Sequence, residues 1–215
     1  MVEILIKVIP LDLAATISPV LFSLVVYSLS SREKPKTKAL SILLGALLVG
    51  IAITVGGFFT GGATSGKHAQ STTTGIIDLV LGALFIVYGF KQLFSSQRKA
   101  KRDQKRGAAT WKWFLAGILI SIFNDSFFLI FASAKEVGAG DLGSWSKLAF
   151  LIINVFFFTL PITLPLSIDY IFPKTAGNIL GKISRFLSNY GGLIIMILFL
   201  IFGIYFAIKG LGILY

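Results

Sequence analysis

The sequence predicts an all-α integral membrane protein with six transmembrane helices, arranged as two inverted three-helix repeats. Of the 215 residues, 55% are hydrophobic, and the mean hydropathy is +0.87. The apolar residues fall in blocks of about 20, which is the length that a helix needs to cross the hydrocarbon core of a bilayer. The fold class follows from composition and block length, and the repeat follows from similarities between the two halves of the chain.

Six apolar segments alternate with polar connectors. The first contains Pro10 and Pro19, which are expected to break its helix; it is too long for a cleavable signal peptide and is expected to stay in the membrane. Glycines recur in the second segment, and Pro161 and Pro165 lie in the fifth, so both helices are expected to be weakened. The segments cover residues 4–29, 39–59, 75–94, 111–134, 147–172 and 191–214.

The distribution of positive charge predicts the orientation of the chain. Fifteen of the 20 Lys and Arg residues lie in or next to the first, third and fifth connectors. Cytoplasmic loops carry an excess of Lys and Arg, so these connectors are predicted inside the cell and both termini outside (N-out/C-out), in a multi-pass protein of the plasma membrane. The most basic connector, residues 95–110, is expected to contact anionic lipids of the bilayer and not nucleic acid.

These features divide the chain into a first repeat (residues 1–94), a basic linker (95–110) and a second repeat (111–215). The last connector, at about residues 174–190, has an apolar stripe at helical spacing, with Lys182 and Arg185 on the opposite side. This pattern predicts a short amphipathic helix on the inner leaflet. The stripe consists of Ile179, Leu180, Ile183, Phe186 and Leu187.

Similar residues recur at matching places in the two halves. The third segment carries Gly82 and Gly89, and the sixth carries Gly203 and Gly210. A spacing of seven puts each pair on one helix face, where backbones can approach closely. Because each half has three spans, the second half is inverted relative to the first. Such repeats usually place substrate and ion sites near the midplane, at broken helices.

Asp125 is the single acidic residue of the fourth segment and falls near the midplane. An ionised carboxylate there costs about 2.5–3.5 kcal/mol, and no Lys or Arg is expected at a comparable depth to neutralise it. On a continuous helix Ser121 lies one turn earlier, and Asn124 lies beside it. Their oxygens suit a proton, a small cation or an ammonium group, so Asp125 is expected to cycle between protonated and charged forms. The alternative is a protonated structural residue that is hydrogen-bonded between helices.

Pro19 provides a second polar feature, at a matching depth. Proline removes one intrahelical hydrogen bond and leaves a free carbonyl about one turn earlier, near Ala15. Ser18 and Thr16 can satisfy the freed groups in part, or a ligand can; an ordinary proline kink is the alternative. Asp12 lies near the outer end of this segment and is expected at the interface, with a vestibule site as the alternative.

The fifth segment has a comparable set of residues. Pro161 and Pro165 stand four apart, so both fall on one side of the helix. With Thr159 and Thr163 beside them, they predict a second place with free carbonyls and hydroxyls. Asn154 lies one to two turns earlier, in the outer half, and is included in the predicted pathway.

Metal and cofactor chemistry is not expected. The sequence has no cysteine, which excludes disulfides and thiol chemistry, and its one histidine, His68, supports no metal site. Asp78 and Asp169 lie near the ends of the third and fifth segments and are expected to be interfacial. We therefore predict no cofactor and no metal ion.

Several segments together resemble a known family. They are Ser-Pro at 18–19, LLGALLVG at 43–50, LGKISRFLSN at 180–189 and the glycine-flanked helix at 203–210. They resemble the lysine exporter (LysE) superfamily of six-helix transporters, and most closely its sulfolipid- and glycopeptidolipid-addressing proteins (Sap/GAP). The resemblance covers most of the chain. It implies two inverted repeats, export or translocation of a solute or lipid, and breaks in the first and fourth segments that line the pathway.

The chain departs from these relatives in its fourth segment. Relatives commonly have Asn-Pro or a similar proline dipeptide where this chain has Asn124-Asp125. A helix breaker is therefore expected to be lost and an acid gained, which makes the relatives' substrates a poor guide. Related electron carriers use membrane cysteines, and the absence of cysteine excludes that branch.

Three classes of function compete. A secondary transporter or exporter of a small solute or lipid-linked molecule is favoured, with proton or cation coupling through a buried Asp. A non-transporting accessory protein for lipid export or assembly is the alternative; copurification with an enzyme without flux would indicate it. An intramembrane enzyme is not expected, because no nucleophile–His pair and no second deep Asp are present. Substrate, direction, coupling ion and homo-oligomer formation are left open.

Overall fold

The protein is a bundle of α-helices. A computed structural model describes residues 2–31, 33–63, 72–94 and 110–214, and these residues form eight α-helices and no strand. Four helices are long and apolar enough to cross a membrane, and the number rises to six if each of two bent pairs is one span. The predicted helical membrane protein is thus confirmed. The helices are α1 (Val2–Ala15), α2 (Pro19–Leu29), α3 (Pro35–Ala63), α4 (Thr72–Phe94), α5 (Thr110–Ile122), α6 (Asp125–Ala139), α7 (Ser144–Ile171) and α8 (Ala176–Leu214).

The first bent pair is α1–α2, whose axes differ by 43°. Pro19 is the first residue of α2, where its missing N–H would have no helical partner in any case. Ser18 caps α2 by accepting a hydrogen bond from the Leu21 backbone N–H at 3.3 Å. The break predicted at Pro19 is therefore confirmed. The break predicted at Pro10 is wrong, because Pro10 lies inside an uninterrupted α1.

The second bent pair is α5–α6, whose axes differ by 63°. We expected the exchange of Pro for Asp125 to remove a helix breaker, and this expectation is wrong. Asn124 is extended (φ −89°, ψ 146°) in the position before α6, where Asn is strongly favoured, and Asp125 follows in the first turn, where an acid suits the helix dipole. The pair also continues to Ala139, beyond the predicted end at residue 134.

The two longest helices of the second half differ from their predictions as well. Pro161 and Pro165 lie inside a continuous α7 and do not divide it. The connector predicted at residues 174–190 is not a separate amphipathic helix, since α8 runs unbroken for 39 residues from Ala176. Part of its apolar stripe, including Leu180, packs with Phe22 of α2. At 1.5 Å per residue, α8 is about 58 Å long and exceeds the hydrocarbon core of a bilayer, which is about 30 Å thick.

Glycines allow α4 and α8 to meet at their backbones, as their spacing predicted. A methyl group placed on Gly82 would lie 2.7 Å from the Ala207 backbone nitrogen. A methyl group on Gly210 would lie 2.7 Å from the Gly75 carbonyl. No side chain can therefore lie between the two antiparallel helices at these points.

Glycines of α3 make similar contacts with the second bent pair. A methyl group on Gly45 would collide with the Phe114 carbonyl of α5, and one on Gly57 would lie 2.6 Å from the Phe131 carbonyl of α6. Because α3 runs parallel to this pair, the break at Asn124 lies level with the middle of α3. Each half of the chain thus consists of a bent pair followed by two long helices. The inverted repeat and the orientation of the termini remain predictions.

Candidate functional site

The breaks of the two bent pairs lie against each other in the interior. The Asn124 side-chain amide donates a hydrogen bond to the Ser18 hydroxyl at 2.8 Å. The Ser126 hydroxyl donates to the Ala15 carbonyl at 2.6 Å. Ser18 and Ser126 are each only 1% exposed. Two segments that are more than 100 residues apart in sequence are therefore joined by polar contacts at the point where both helices are interrupted. We call these four residues the crossing.

The carbonyl predicted to be freed near Ala15 is present, but its partner was not predicted. We expected Ser18 and Thr16 to satisfy the freed groups in part, or a ligand to do so. The Thr16 hydroxyl instead donates to the Leu13 carbonyl at 2.7 Å, and the partner of Ala15 is Ser126. Ser126 was not among the candidate residues, although it directly follows the Asn-Asp pair that matches Ser18-Pro19 in depth.

Asp125 lies beside the crossing and is half-buried in the first turn of α6. Its carboxylate accepts no hydrogen bond from the described residues. Lys91, in the last turn of α4, is near enough for its charge to act on Asp125, so the expectation that no basic residue reaches this depth is wrong. Ser121 does not stand one helical turn from Asp125, because the break separates them. The Ser121 hydroxyl is buried and has no partner within the described ranges.

A second polar cluster lies between α1, α6 and α7. The Asn154 amide nitrogen donates to Asp12 Oδ1 at 2.7 Å and to the Ser133 hydroxyl at 2.9 Å. All three residues are 0% exposed. The other oxygens of Asp12 and Asn154 have no hydrogen-bond partner in the described part of the chain. The structure thus brings together two predicted pathway residues, adds Ser133 and encloses Asp12 fully between helices.

The Asp12 cluster and the crossing occupy the same side of the short helices. Asp12 stands three residues before Ala15 on α1, and Ser133 stands seven residues after Ser126 on α6. Seven residues are about two helical turns, or about 10 Å along the axis. The two polar clusters therefore form one line along the contact between α1 and α6.

The hydroxyls predicted to be free in the proline region of α7 are bonded within the helix, so this part of the prediction is wrong. The Thr159 hydroxyl donates to the Val155 carbonyl at 3.0 Å, and the Thr163 hydroxyl donates to the Thr159 carbonyl at 3.3 Å. Both side chains are thus used within their own helix. Pro161 and Pro165 are buried, and in the described residues no hydrogen bond joins the two threonines to the crossing or to Asp12.

A network of four charged residues joins α4, α6 and α8, and the sequence did not predict it. Lys135 pairs with Asp78, and Lys209 pairs with Glu136 and also lies 3.5 Å from Asp78. Asp78 is 0% exposed and Lys135 is 1% exposed. Lys135 lies just beyond the predicted fourth segment (111–134), but α6 continues through it to Ala139. The signal available in the sequence was that Asp78 lies near the start of the third segment, whereas Lys135, Glu136 and Lys209 lie at the ends of the fourth and sixth, which six spans place on the same side.

A cavity of about 500 Å³ lies beside α2, α7 and the start of α8. Its lining is apolar at Val26 and Leu180, and polar at Asp169, Ser184 and Arg185. Among the described residues no group of three or more His, Cys, Asp or Glu side chains could hold a metal ion. His68 and almost all of the basic linker (residues 95–109) lie outside the described residues.

Comparison with known proteins supports the resemblance at the level of the family. The chain matches the family model described as Sap, sulfolipid-1-addressing protein, over residues 8–212. That range contains the crossing, the Asp12 cluster and the charged network. No curated protein and no solved structure matches the chain. Since the match covers nearly the whole sequence, the chain belongs to the Sap, sulfolipid-1-addressing protein family.

Proposed function

We propose that the protein is a secondary transporter of the plasma membrane that exports or translocates a lipid or lipid-linked molecule. The observation that carries the proposal is the crossing, where two interrupted helices meet in the interior through Asn124–Ser18 and Ser126–Ala15. Discontinuous helices that meet near the midplane are the usual location of substrate and ion sites in secondary transporters. The family description, which refers to sulfolipid addressing, supports a lipid as the substrate class.

The crossing has the properties of a joint that can open. Inside a bilayer, backbone groups released by a helix break must find other partners. Here the partners of the α1–α2 break come from the side chains of the α5–α6 break, and the two breaks depend on each other. A polar group of a substrate, or water, can replace these side-chain contacts when the two bent pairs separate. A continuous helix would offer no such exchangeable contacts.

The cavity beside α2 supports a substrate that is apolar in one part and polar in another. It lies at the C-terminal end of α2, seven or more residues beyond Pro19, and it combines apolar Val26 with Arg185 and Asp169. An amphipathic lining of this kind suits the junction between a lipid headgroup and its chains. Asp125 and Lys91 add charged groups near the crossing itself.

Further features belong to the same proposal. We propose two inverted three-helix repeats with both termini outside, as in the LysE superfamily, and a transport function without enzymatic activity. Anionic lipids at the basic linker would anchor the inner side of the protein. Anionic headgroups attract juxtamembrane Lys and Arg residues by about 1 kcal/mol each.

The test is a translocation assay with the purified full-length protein in vesicles that contain a fluorescent NBD-labelled sulfated glycolipid. Bleaching the outer leaflet with dithionite reports how fast the labelled lipid crosses the bilayer. The wild-type protein is expected to accelerate crossing over protein-free vesicles. Ser126→Ala is expected to change the rate about fivefold, since a net hydrogen bond is worth about 1 kcal/mol.

Ser28→Ala is the matched control. Ser28 is also buried, but its hydroxyl donates to the Val25 carbonyl of its own helix at 2.8 Å, so its removal breaks no contact between the bent pairs. An equal effect of both substitutions would argue against a role of the crossing. Absence of any lipid movement, together with stable copurification of an enzyme, would favour the accessory function.

A further inference from the structure

We infer that Asp12 is the residue at which this transporter binds and releases a proton, and that its protonation controls whether α1 packs against α6 and α7. The inference rests on the proposed transport function and assigns its coupling ion and the site of coupling. It is carried by the hydrogen bonds of the Asp12 cluster, by the distribution of charge around it, and by its position next to the break between α1 and α2.

The cluster contains four acceptor oxygens, on Asp12, Asn154 and Ser133, but only three donor hydrogens, two on the Asn154 amide and one on the Ser133 hydroxyl. A side-chain amide has two N–H donors, and those of Asn154 are directed to Asp12 Oδ1 and to the Ser133 hydroxyl. Asp12 Oδ2 and Asn154 Oδ1 are buried without a hydrogen-bond partner among the described residues. One proton on the Asp12 carboxyl would remove its charge and convert an unpaired acceptor into a donor.

No charged side chain in the described ranges pairs with Asp12. The charged residues on the three helices around it are Glu3 and Lys7 on α1, Asp125, Lys135 and Glu136 on α6, and Lys147 and Asp169 on α7. Lys7 pairs with Glu3, Lys135 with Asp78, and Glu136 with Lys209. Lys147 donates to the Gly138 carbonyl, and Asp169 lines the cavity beside α2. An ionised Asp12 would therefore be buried without a counter-charge, which is strongly unfavourable.

Asp125 lacks this combination of properties. It is only half-buried, it stands in the first turn of α6 where the helix dipole favours negative charge, and Lys91 acts on it. Asp125 is therefore partly exposed without any movement of α1. Asp12 is fully enclosed between three helices and becomes exposed only after a rearrangement.

The neighbouring break supplies that rearrangement. α1 ends at Ala15, three residues after Asp12, and it can swing relative to α2 without losing hydrogen bonds within either helix. Movement of α1 away from α6 and α7 would expose Asp12 to water, where the charged form is stable. Protonation would favour the closed packing and deprotonation the open one, so that proton exchange and the opening of the crossing are coupled.

Infrared spectroscopy of the purified full-length protein tests the protonation directly. The wild-type protein is expected to show the C=O stretch of a protonated carboxyl group, and Asp12→Asn is expected to lose it. Asp141→Asn, which removes an exposed carboxyl outside the cluster, is the matched control and should keep the band. The same band in wild type and D12N would overturn the inference.

A gradient experiment tests the coupling, with the NBD-labelled sulfated glycolipid in vesicles whose membrane potential is clamped with potassium and valinomycin. For one proton per lipid, a gradient of one pH unit supports at most about a tenfold ratio of lipid between the leaflets. Wild type and D141N are expected to build up such an asymmetry, and D12N is expected to lose it. Asp12→Ser is a smaller neutral variant for use if D12N is not monodisperse.

The outcomes separate the inference from the proposed function. If D12N and D12S still respond to the pH gradient, the coupling site is wrong but transport stands. If a sodium gradient at equal pH drives an asymmetry that depends on Asp12, the site binds sodium and the proton assignment is overturned. If wild-type protein moves no lipid in any condition, the proposed function fails and this inference fails with it.

Discussion

Replacing Asp78 with Asn is expected to destabilise the protein by about 3–5 kcal/mol, because it removes the counter-charge of a buried Lys135. The magnitude follows from burial, since both side chains are at most 1% exposed. Lys209 would lose a contact at 3.5 Å but keep Glu136, so most of the cost comes from Lys135.

The double variant Asp78→Asn/Lys135→Met distinguishes the loss of the attraction between Asp78 and Lys135 from the cost of leaving the Lys135 charge buried and unpaired. It removes both members of the pair and leaves Lys209 with Glu136, so we expect it to recover most of the stability lost in the single variant. Replacement of a buried ion pair by uncharged side chains is often neutral or stabilising. The free energy of unfolding would be measured by titrating SDS into detergent micelles and following helical circular dichroism.

An exposed ion pair provides the comparison. Lys7 and Glu3 stand four residues apart at the start of α1, and Glu3 is 81% exposed, so Lys7→Met should leave stability almost unchanged. A single D78N variant as stable as the wild type would refute the reasoning. A double variant whose loss equals the sum of the two single losses would refute it equally, because the charges would then be independent.

Two further predictions concern packing and topology. Gly57→Ala is expected to lower stability by about 1–3 kcal/mol, because the new methyl group would lie 2.6 Å from the Phe131 carbonyl. Gly56→Ala should leave stability unchanged, because its methyl group would meet nothing within 4 Å. Thermal unfolding in detergent compares the two variants. In this cysteine-free chain, a single cysteine at Asp141 should react with an impermeant maleimide added to intact cells and one at Ser96 should not; the reverse pattern would contradict the predicted orientation.

The sequence was most informative where a single residue type limits the backbone by itself. Proline has no N–H, and at Pro19 this predicted both the break and the free carbonyl near Ala15, whereas Pro10, Pro161 and Pro165 lie inside continuous helices. Glycine spacing likewise predicted the close contact between α4 and α8. Local chemistry was therefore a reliable guide to the glycine contacts, but among the prolines it predicted a break correctly only at Pro19.

The remaining features depend on contacts between distant segments, which local pattern does not determine. The Ser126 hydroxyl donates to the Ala15 carbonyl, which is 111 residues away in sequence. Lys135 pairs with Asp78, which is 57 residues away. Asn124 stands at the N-cap position of α6 without a side-chain capping bond, and its amide instead donates to Ser18 of the other bent pair. The polar face of residues 174–190 predicts a helix on the membrane surface. The packing of Leu180 against Phe22, which joins this stretch to the bundle, cannot be predicted from local pattern.

The glycine seam between α4 and α8 limits which parts of the protein can take part in a transport cycle. Where Gly82 and Gly210 bring two backbones together, separating or rotating α4 against α8 would lose close backbone contacts that no side chain can replace. They are expected to stay together as a rigid unit while the other helices move relative to them. The movement of a transport cycle would then be made by the short helices on either side of the crossing, whose contacts are made by side chains that can be exchanged.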